Sequence, residues 1–258
     1  MMDIFIISLS ACIAALLTFF SGFGLGTVLA PIMMMFFPVH IAIALTGIVH
    51  LFNNLFKLFL VGKYADLGVL IRFGIPAIIC ALLGSFLLLS LSEIQPLFSY
   101  QLFEQHLDVY PVKLIIAILL IFFALIDFIP IMKNLQFDVN KLIIGGALSG
   151  FFGGLSGVQG ALRSAFLIKV GLSKESFIAT AAIVSTGVDI TRLSVYASTI
   201  SKVGIIEHVW ILLSAIVAGI IGSLIGNTLL KKVTMHTVQI FTATLLVLIS
   251  IALGMGFL

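Results

Sequence analysis

Charge is what this sequence has least of. Charged residues make up 9% of its 258 positions, against about a quarter in ordinary soluble domains, so a globule of this size could not coat itself with polar surface. Water is therefore excluded as its main solvent. Cysteine is nearly absent as well: Cys12 and Cys80 both fall inside apolar stretches, where a thiol behaves as a small hydrophobe and says nothing about redox compartment. Metal-ligand spacing is missing. Four of the five histidines, His40, His106, His208 and His236, fall in or beside loops, and only His50 lies well inside an apolar stretch. No metal or cofactor is expected. The few basic residues are not interleaved with aromatics, which argues against nucleic acid as a partner. No basic residue precedes the first apolar stretch, while Asp3 does, so that stretch is expected to be a retained first helix rather than a cleaved signal.

What the sequence has in abundance is hydrophobic residues, at 62%. They form ten runs: Ile4 to Phe20, Thr27 to Phe37, Ile41 to Val61, Val69 to Leu91, Lys113 to Ile131, Leu142 to Leu155, Leu162 to Val170, Ser176 to Ala197, Val209 to Leu230 and Val238 to Leu258. A helix needs about 20 residues to cross a hydrocarbon core of roughly 30 Å, and six runs reach or nearly reach that length. The Thr27 and Leu162 runs are much shorter. Each follows a glycine-rich stretch, which predicts a discontinuous span, part extended backbone and part short helix, surrounded by protein or a water-filled cavity. The expected fold is an all-α integral membrane protein, one transmembrane domain over 1–258, with membrane lipids as its surroundings. Whether the two short runs cross fully or re-enter is open, as is assembly into a homo-oligomer.

Counting every run as a crossing puts Lys63, Arg72, Lys133, Lys141, Lys169, Lys174, Lys231 and Lys232 on one side. Lys113 and Lys202 fall on the other, with Asp3, Glu93, Glu104, Asp108 and Glu207. The lysine-rich side is then cytoplasmic by the positive-inside rule.

The chain also matches itself. A shift of 135 residues places Ser21-Gly22 on Ser156-Gly157, Ala30 on Ala165, Ile43-Ala44 on Ile178-Ala179, Ile48-Val49 on Ile183-Val184 and Leu58 on Leu193. It also places Lys57 on Arg192, a cation at the same point of a long apolar run in each half. The halves are repeat one, 1–131, and repeat two, 139–258, five runs each, with Ser92 to Tyr110 as the long loop. An odd number of crossings per copy predicts that the second enters the membrane inverted, as in secondary transporters, whose substrate sits near the midplane between the repeats.

Two groups of residues could carry chemistry. The first is the pair of breaks, Ser21-Gly22-Phe23-Gly24-Leu25-Gly26 and Gly153-Gly154-Leu155-Ser156-Gly157-Val158-Gln159-Gly160. Glycine lets backbone N–H groups converge on an anion, and the following helix start adds its positive dipole end. The plainer reading is close helix packing through small residues. The second is intramembrane charge at Lys57, Arg163, Asp189 and Arg192, each costing roughly 2.5–3.5 kcal/mol at a helix centre and therefore facing a cavity or a partner. Lys57 and Arg192 could instead snorkel to an interface. Arg163 has no carboxylate within ten residues, so its partner is either an exogenous anion or Asp189. Thr46, His50, Asn53, Asn54 and Lys57 form one polar stripe at helical steps, and Ser185, Asp189, Arg192 and Tyr196 form its counterpart. Asp189, three residues before Arg192, is expected to neutralise it. The alternative is a proton-coupling role for Asp189 or His50.

On these segments the chain resembles the sulfite exporter TauE/SafE-like family, also called TSUP. The residues that carry the resemblance are Ser21-Gly22-Phe23-Gly24-Leu25-Gly26 followed by Pro31, and Gly150-Phe151-Phe152-Gly153-Gly154-Leu155-Ser156-Gly157-Val158-Gln159-Gly160, each leading into a short helix and a long one. The resemblance covers nearly the whole chain. It implies a multi-pass protein of the cell membrane, of bacterial inner-membrane type, that moves sulfite, an organosulfonate or a related small anion, most simply outward. A substrate-binding set then follows: Gly22, Gly24, Gly26, Asn54, Lys57, Gly157, Gln159, Gly160, Arg163 and Arg192, with Asp189 and His50 coupling protons or balancing charge. Lys57 and Arg192 are expected at one common cavity. Two competing readings are a passive anion channel and, from Gly154-Leu155-Ser156-Gly157, a GxSG-type intramembrane serine protease, which would need a general base in reach of Ser156.

The charge asymmetry makes a topological prediction. Loops 62–68, 132–141, 171–175 and 231–236 should be cytoplasmic and both termini outside, so cysteine probes at residues 138 and 258 should label from opposite faces. Labelling from the same face would overturn this arrangement.

Overall fold

A computed structural model describes residues 2–21, 24–102, 105–126, 141–203, 208–229 and 235–257. Helices fall on each of the ten apolar runs: α1 (Met2–Ser21), α2 (Leu25–Met33), α3 (Val39–Val61), α4 (Leu67–Ser92), α5 (Pro111–Ile126), α6 (Leu142–Ser156), α7 (Gly160–Leu167), α8 (Lys174–Val203), α9 (Val209–Leu229) and α10 (Met235–Gly254). Five of them, α1, α3, α4, α8 and α9, are long and apolar enough to cross a membrane. Shorter apolar helices lie at α5, α6 and the end of α10. Proline sets several boundaries. Pro38 caps α3 and Pro111 opens α5, both places where a missing N–H costs nothing. Pro76 has no N–H for the turn before it, and residues Leu70–Gly74 of α4 widen into a π turn.

One expectation needs correction. The loop Ser92 to Tyr110 is not all irregular, and the fold is not purely α. Strands β1 (Phe98–Leu102) and β2 (Gln105–Val109) pair antiparallel, with Phe98 opposite Val109 and Leu102 opposite Gln105. A lone two-stranded hairpin is marginal in water. This one is docked: the Tyr100 hydroxyl donates to the Met255 carbonyl at 2.6 Å, and Gly256 lies so near Asp108 that a Cβ there would sit 2.6 Å from its carbonyl oxygen.

The helices pack in four principal pairs: α1 with α9, α4 with α6, α3 with α8, and α5 with α10. Exchanging the halves of the chain turns the first pair into the second and each of the others into itself. Direction follows from the contacts. Gly146, Gly150 and Gly154 of α6 rest on the carbonyls of Phe73, Ala77 and Ala81 of α4 in the same order, so α4 and α6 are parallel. Gly222 and Gly226 of α9 likewise rest on Cys12 and Leu16 of α1. In contrast, Gly47 meets Arg192, His50 meets Asp189, and Asp66 meets Thr180, so α3 and α8 run antiparallel. Gly254 against Ala117 and Gly256 against Asp108 give the same sense for α5 and α10.

This packing is inverted relative to a soluble protein. Large apolar side chains such as Phe5, Phe59, Ile79, Leu83, Phe86, Trp210 and Leu248 are exposed, while Thr46, His50, Asn53, Asn54, Lys57, Ser185, Asp189 and Arg192 are buried. The polar stripes face each other in the interior, and the greasy faces look outward, as a lipid solvent requires.

The α4–α6 seam is close enough to test. A Cβ at Gly150 would overlap the Ala77 carbonyl, whereas one at Gly62 would meet only Leu58 side-chain atoms, its Cβ at 3.7 Å. Gly150→Ala should therefore destabilise the purified protein by about 1–3 kcal/mol or more, read as a lower melting temperature. Gly62→Ala should melt like the parent.

Candidate functional site

The two polar stripes meet where α3 crosses α8, and a single carboxylate organises the crossing. Asp189 has no exposure. Its Oδ2 accepts from His50 Nδ1 at 2.6 Å and from Asn54 Nδ2 at 3.4 Å. Its Oδ1 accepts from Arg192 Nε at 2.9 Å. Arg192 Nη2 is also 2.8 Å from Oδ1, but off the hydrogen-bond direction, so that contact is ionic only. Asn54 and Asp189 are 135 residues apart, the same offset that superposes the halves of the sequence, so equivalent positions touch each other here. With Nδ1–H given to the carboxylate, His50 presents Nε2 to the other side, where a Cβ on Gly24 would lie 3.4 Å away.

The glycine-rich breaks come together around this crossing. Gly24 enters α2 with φ 81° and Gly157 leaves α6 with φ 75°, left-handed conformations that only glycine adopts without strain. A Cβ on Gly24 would lie 4.0 Å from both Gly160 Cα and an Arg163 guanidinium nitrogen, and one on Gly26 would lie 2.9 Å from the Gly157 carbonyl oxygen. The glycines thus serve the packing reading and, by the same closeness, bring α2 and α7 to one place.

That place holds a cavity of about 350 Å³ including its mouth, walled by Thr18, Phe19, Gly24, His50, Asn54, Lys57, Arg163, Phe177, Ile178, Ala181 and Ala182. Among the described residues, no carboxylate lines it. Lys57 is buried and holds its ammonium 5.3 Å from the Phe19 ring centroid, a cation–π contact. Arg163 is buried too. One of its terminal nitrogens donates to Ser185 Oγ, while its Nε finds no hydrogen-bond partner. Among the described residues, neither cation is paired with a carboxylate.

Of the residues singled out from sequence, Gly24, His50, Asn54, Lys57 and Arg163 line the cavity. Gly26, Gly157 and Gly160 pack behind it, and Gly22 lies outside the described residues. Arg192, expected to share the cavity with Lys57, does not line it. Arg192 is held against Gly47 and Gly157, whose Cβ positions would lie 3.2 and 2.9 Å from its guanidinium. Asp189 and Gln159 also stand behind the wall. Neither Lys57 nor Arg192 snorkels, since their exposures are 7% and 0%. Three participants went unnoticed in the sequence: Ser185 as the partner of Arg163, Gly47 as the seat of Arg192, and the Phe19 ring under Lys57. Their signals were present, because Ser185 is the repeat counterpart of His50 and Gly47 lies one turn before His50 on the same stripe.

Ser156 is not arranged as a nucleophile. Its hydroxyl donates to the Phe152 carbonyl at 2.9 Å and accepts from the Val158 N–H at 3.3 Å, which ends α6. His50 is committed to Asp189 instead.

Residues 7–253 match the family described as sulfite exporter TauE/SafE. The chain belongs to that family. No curated protein matches it. Membership makes the chain a multi-pass membrane transporter of sulfite or a related anion. In this TauE/SafE member, the buried His50–Asp189–Arg192 cluster stands beside the cavity.

Removing one partner from a buried ion cluster strands the others, at about 3–5 kcal/mol. Asp189→Asn should therefore melt far below the parent protein, and adding Arg192→Gln to it should recover part of the loss. An unchanged melting temperature for Asp189→Asn would contradict the role given to this carboxylate.

Proposed function

We propose that the chain is a secondary transporter that exports sulfite, an organosulfonate or a related small anion from the cytoplasm, with the cavity at Lys57 and Arg163 as its binding site. The observation that carries the reading is that cavity. Two buried cations reach it without a carboxylate ion pair among the described residues, together with the His50 ring edge and the Asn54 amide. A charge buried alone is expensive, so the cost is offset when an anion binds between them. Charge-assisted hydrogen bonds from guanidinium and ammonium to oxyanion oxygens are the strong class.

The architecture we infer is ten crossings in two inverted repeats of five. It is supported by the antiparallel run of α3 and α8, and of α5 and α10, which are repeat counterparts. If all ten helices alternate in direction, α1 and α9 are parallel, α4 and α6 are parallel, and those two counterpart pairs are antiparallel. The observed contacts have these senses. Were α2 and α7 re-entrant, α3 and α8 would be parallel.

Charge supports the direction. The cavity lies toward the C-terminal end of α3 and the N-terminal end of α8, through Lys57, Phe177 and Ile178. Lys63, Arg72, Lys141 and Lys174 belong to that same end, which the positive-inside rule assigns to the cytoplasm. The cavity then faces the compartment from which an exporter loads. His50, with Nδ1 on Asp189 and Nε2 toward the cavity, is the group placed to take up a proton with the anion.

Arg163→Gln removes a cavity cation while keeping a side chain able to bond Ser185. Anion flux through proteoliposomes should be abolished, with the protein still inserted and folded. Undiminished flux would remove Arg163 from the site and with it this placement of the substrate.

A further inference from the structure

The repeat that relates the two halves also relates the cavity to a second place in the molecule. Shifted by 135 residues, the cavity positions Ile178, Ala181, Ala182, Lys57 and Gly24 become Ile43, Thr46, Gly47, Arg192 and Gln159. Four of them, Ile43, Thr46, Gly47 and Arg192, are gathered near Gly157, two residues before Gln159. Arg192 lies against Gly47 and Gly157, Ile43 lies against Gly157 at 3.8 Å from its Cβ position, and the Thr46 methyl lies 3.8 Å from that of Gly26, which in turn abuts Gly157. The difference is closure. Ile43, Thr46 and Arg192 have 0% exposure and Gln159 has 2%.

Among the described residues, several buried polar atoms here have no hydrogen-bond partner. The Gln159 side-chain oxygen and nitrogen, the Thr46 hydroxyl and Arg192 Nη1 are all buried without a hydrogen-bond partner. Leaving one such group unsatisfied costs about 1–3 kcal/mol, and packing does not explain the cost, because apolar residues would pack as well without it. The unpartnered groups are explained if the region opens and receives a polar ligand in another conformation.

We propose that Arg192, Thr46 and Gln159 form a second anion station, the repeat counterpart of the cavity, which opens to the opposite membrane face when the cavity closes. The assignment rests on the transporter reading above. The two stations share a wall at the His50–Asp189–Arg192 cluster, so the anion changes partner from Lys57 to Arg192 across one buried carboxylate. The stations also differ in charge. Where the cavity has Arg163 and Asn54, the counterpart positions are Val28 and Asp189. The second station therefore holds one cation already shared with a carboxylate, grips an anion more weakly, and suits release.

Two pairs of equivalent positions test this: Ala181→Cys with Thr46→Cys, and Ile178→Cys with Ile43→Cys, each single variant made in a Cys12→Ser, Cys80→Ser background. A membrane-impermeant maleimide is applied to right-side-out and inside-out vesicles, with and without saturating methanesulfonate as the anion probe. Ala181→Cys and Ile178→Cys should label from the cytoplasmic face only, and Thr46→Cys and Ile43→Cys from the outer face only. Methanesulfonate should move the two rates in opposite directions, by about tenfold for a well-shifted equilibrium. Two results would overturn the proposal: Thr46→Cys and Ile43→Cys unreactive from both faces in protein that still carries labelled anion, or reactive from the same face as their counterparts. The second pair decides if one variant of the first fails to insert. Flux of the anion is measured separately, so a wrong substrate assignment shows as alternating labelling without flux.

Discussion

One buried carboxylate holds the centre of this protein together. Asp189 accepts from His50 and Asn54 on α3 and from Arg192 on its own helix, and all four side chains are almost wholly shielded. In an apolar solvent no water can replace a lost partner, so these contacts fix how α3 and α8 cross and in what register. Everything else near the site is arranged around that crossing. The breaks at Gly24 and Gly157 fold back onto it, the cavity opens on one side of it, and Arg192 packs against Gly47 and Gly157 on the other. The chemistry proposed for the chain depends on this wall being charged yet balanced. Arg192 is ion-paired with Asp189, and among the described residues Lys57 and Arg163 form no ion pair with a carboxylate.

Glycine has two jobs in this molecule, and the structure separates them. At Gly146, Gly150 and Gly154 its role is steric, since it lets the backbones of α4 and α6 touch. At Gly24 and Gly157 it is also conformational, because the positive φ lets the chain turn into α2 or out of α6 inside the protein. The first use makes a rigid seam. The second makes a junction at which four chain segments, α1 to α2 and α6 to α7, meet in a space too small for side chains. A rigid frame around a compact junction is a construction in which a small shift in the crossing helices can close one opening and widen another.

Much of this was legible in the sequence, for physical reasons that can be named. The apolar runs set the helices because length and hydropathy are one-dimensional properties, and the polar stripes on α3 and α8 could be read at helical steps. Asp189 beside Arg192 is likewise a local relation. His50 with Asp189 is not: the two are 139 residues apart, and no period in a single chain announces such a pair. The repeat offset came closest, since the same shift relates Asn54 to Asp189, which touch, although the sequence reading did not single out that pair. It misled on Arg192, because a shared position in each half was taken to mean a shared cavity, when a symmetry operation moves a residue to the counterpart site instead. The β-hairpin escaped for a different reason. Phe98, Tyr100 and Leu102 alternate with polar residues, but the segment is short and stands between two strongly helical runs that dominate any reading of the region. The glycine seam at 146, 150 and 154 was visible at four-residue steps, though nothing local says which helix lies against it.

The central claim is that a chain of this family moves a small anion through an alternately opened, positively lined site, using a gradient. Its most direct test is accumulation. Purified protein in proteoliposomes, given radiolabelled sulfite at equal concentration on both sides and an imposed pH gradient, should concentrate the label on one side until the gradient decays. Movement of label only down its own concentration gradient, unaffected by pH, would identify a passive pore and contradict the account.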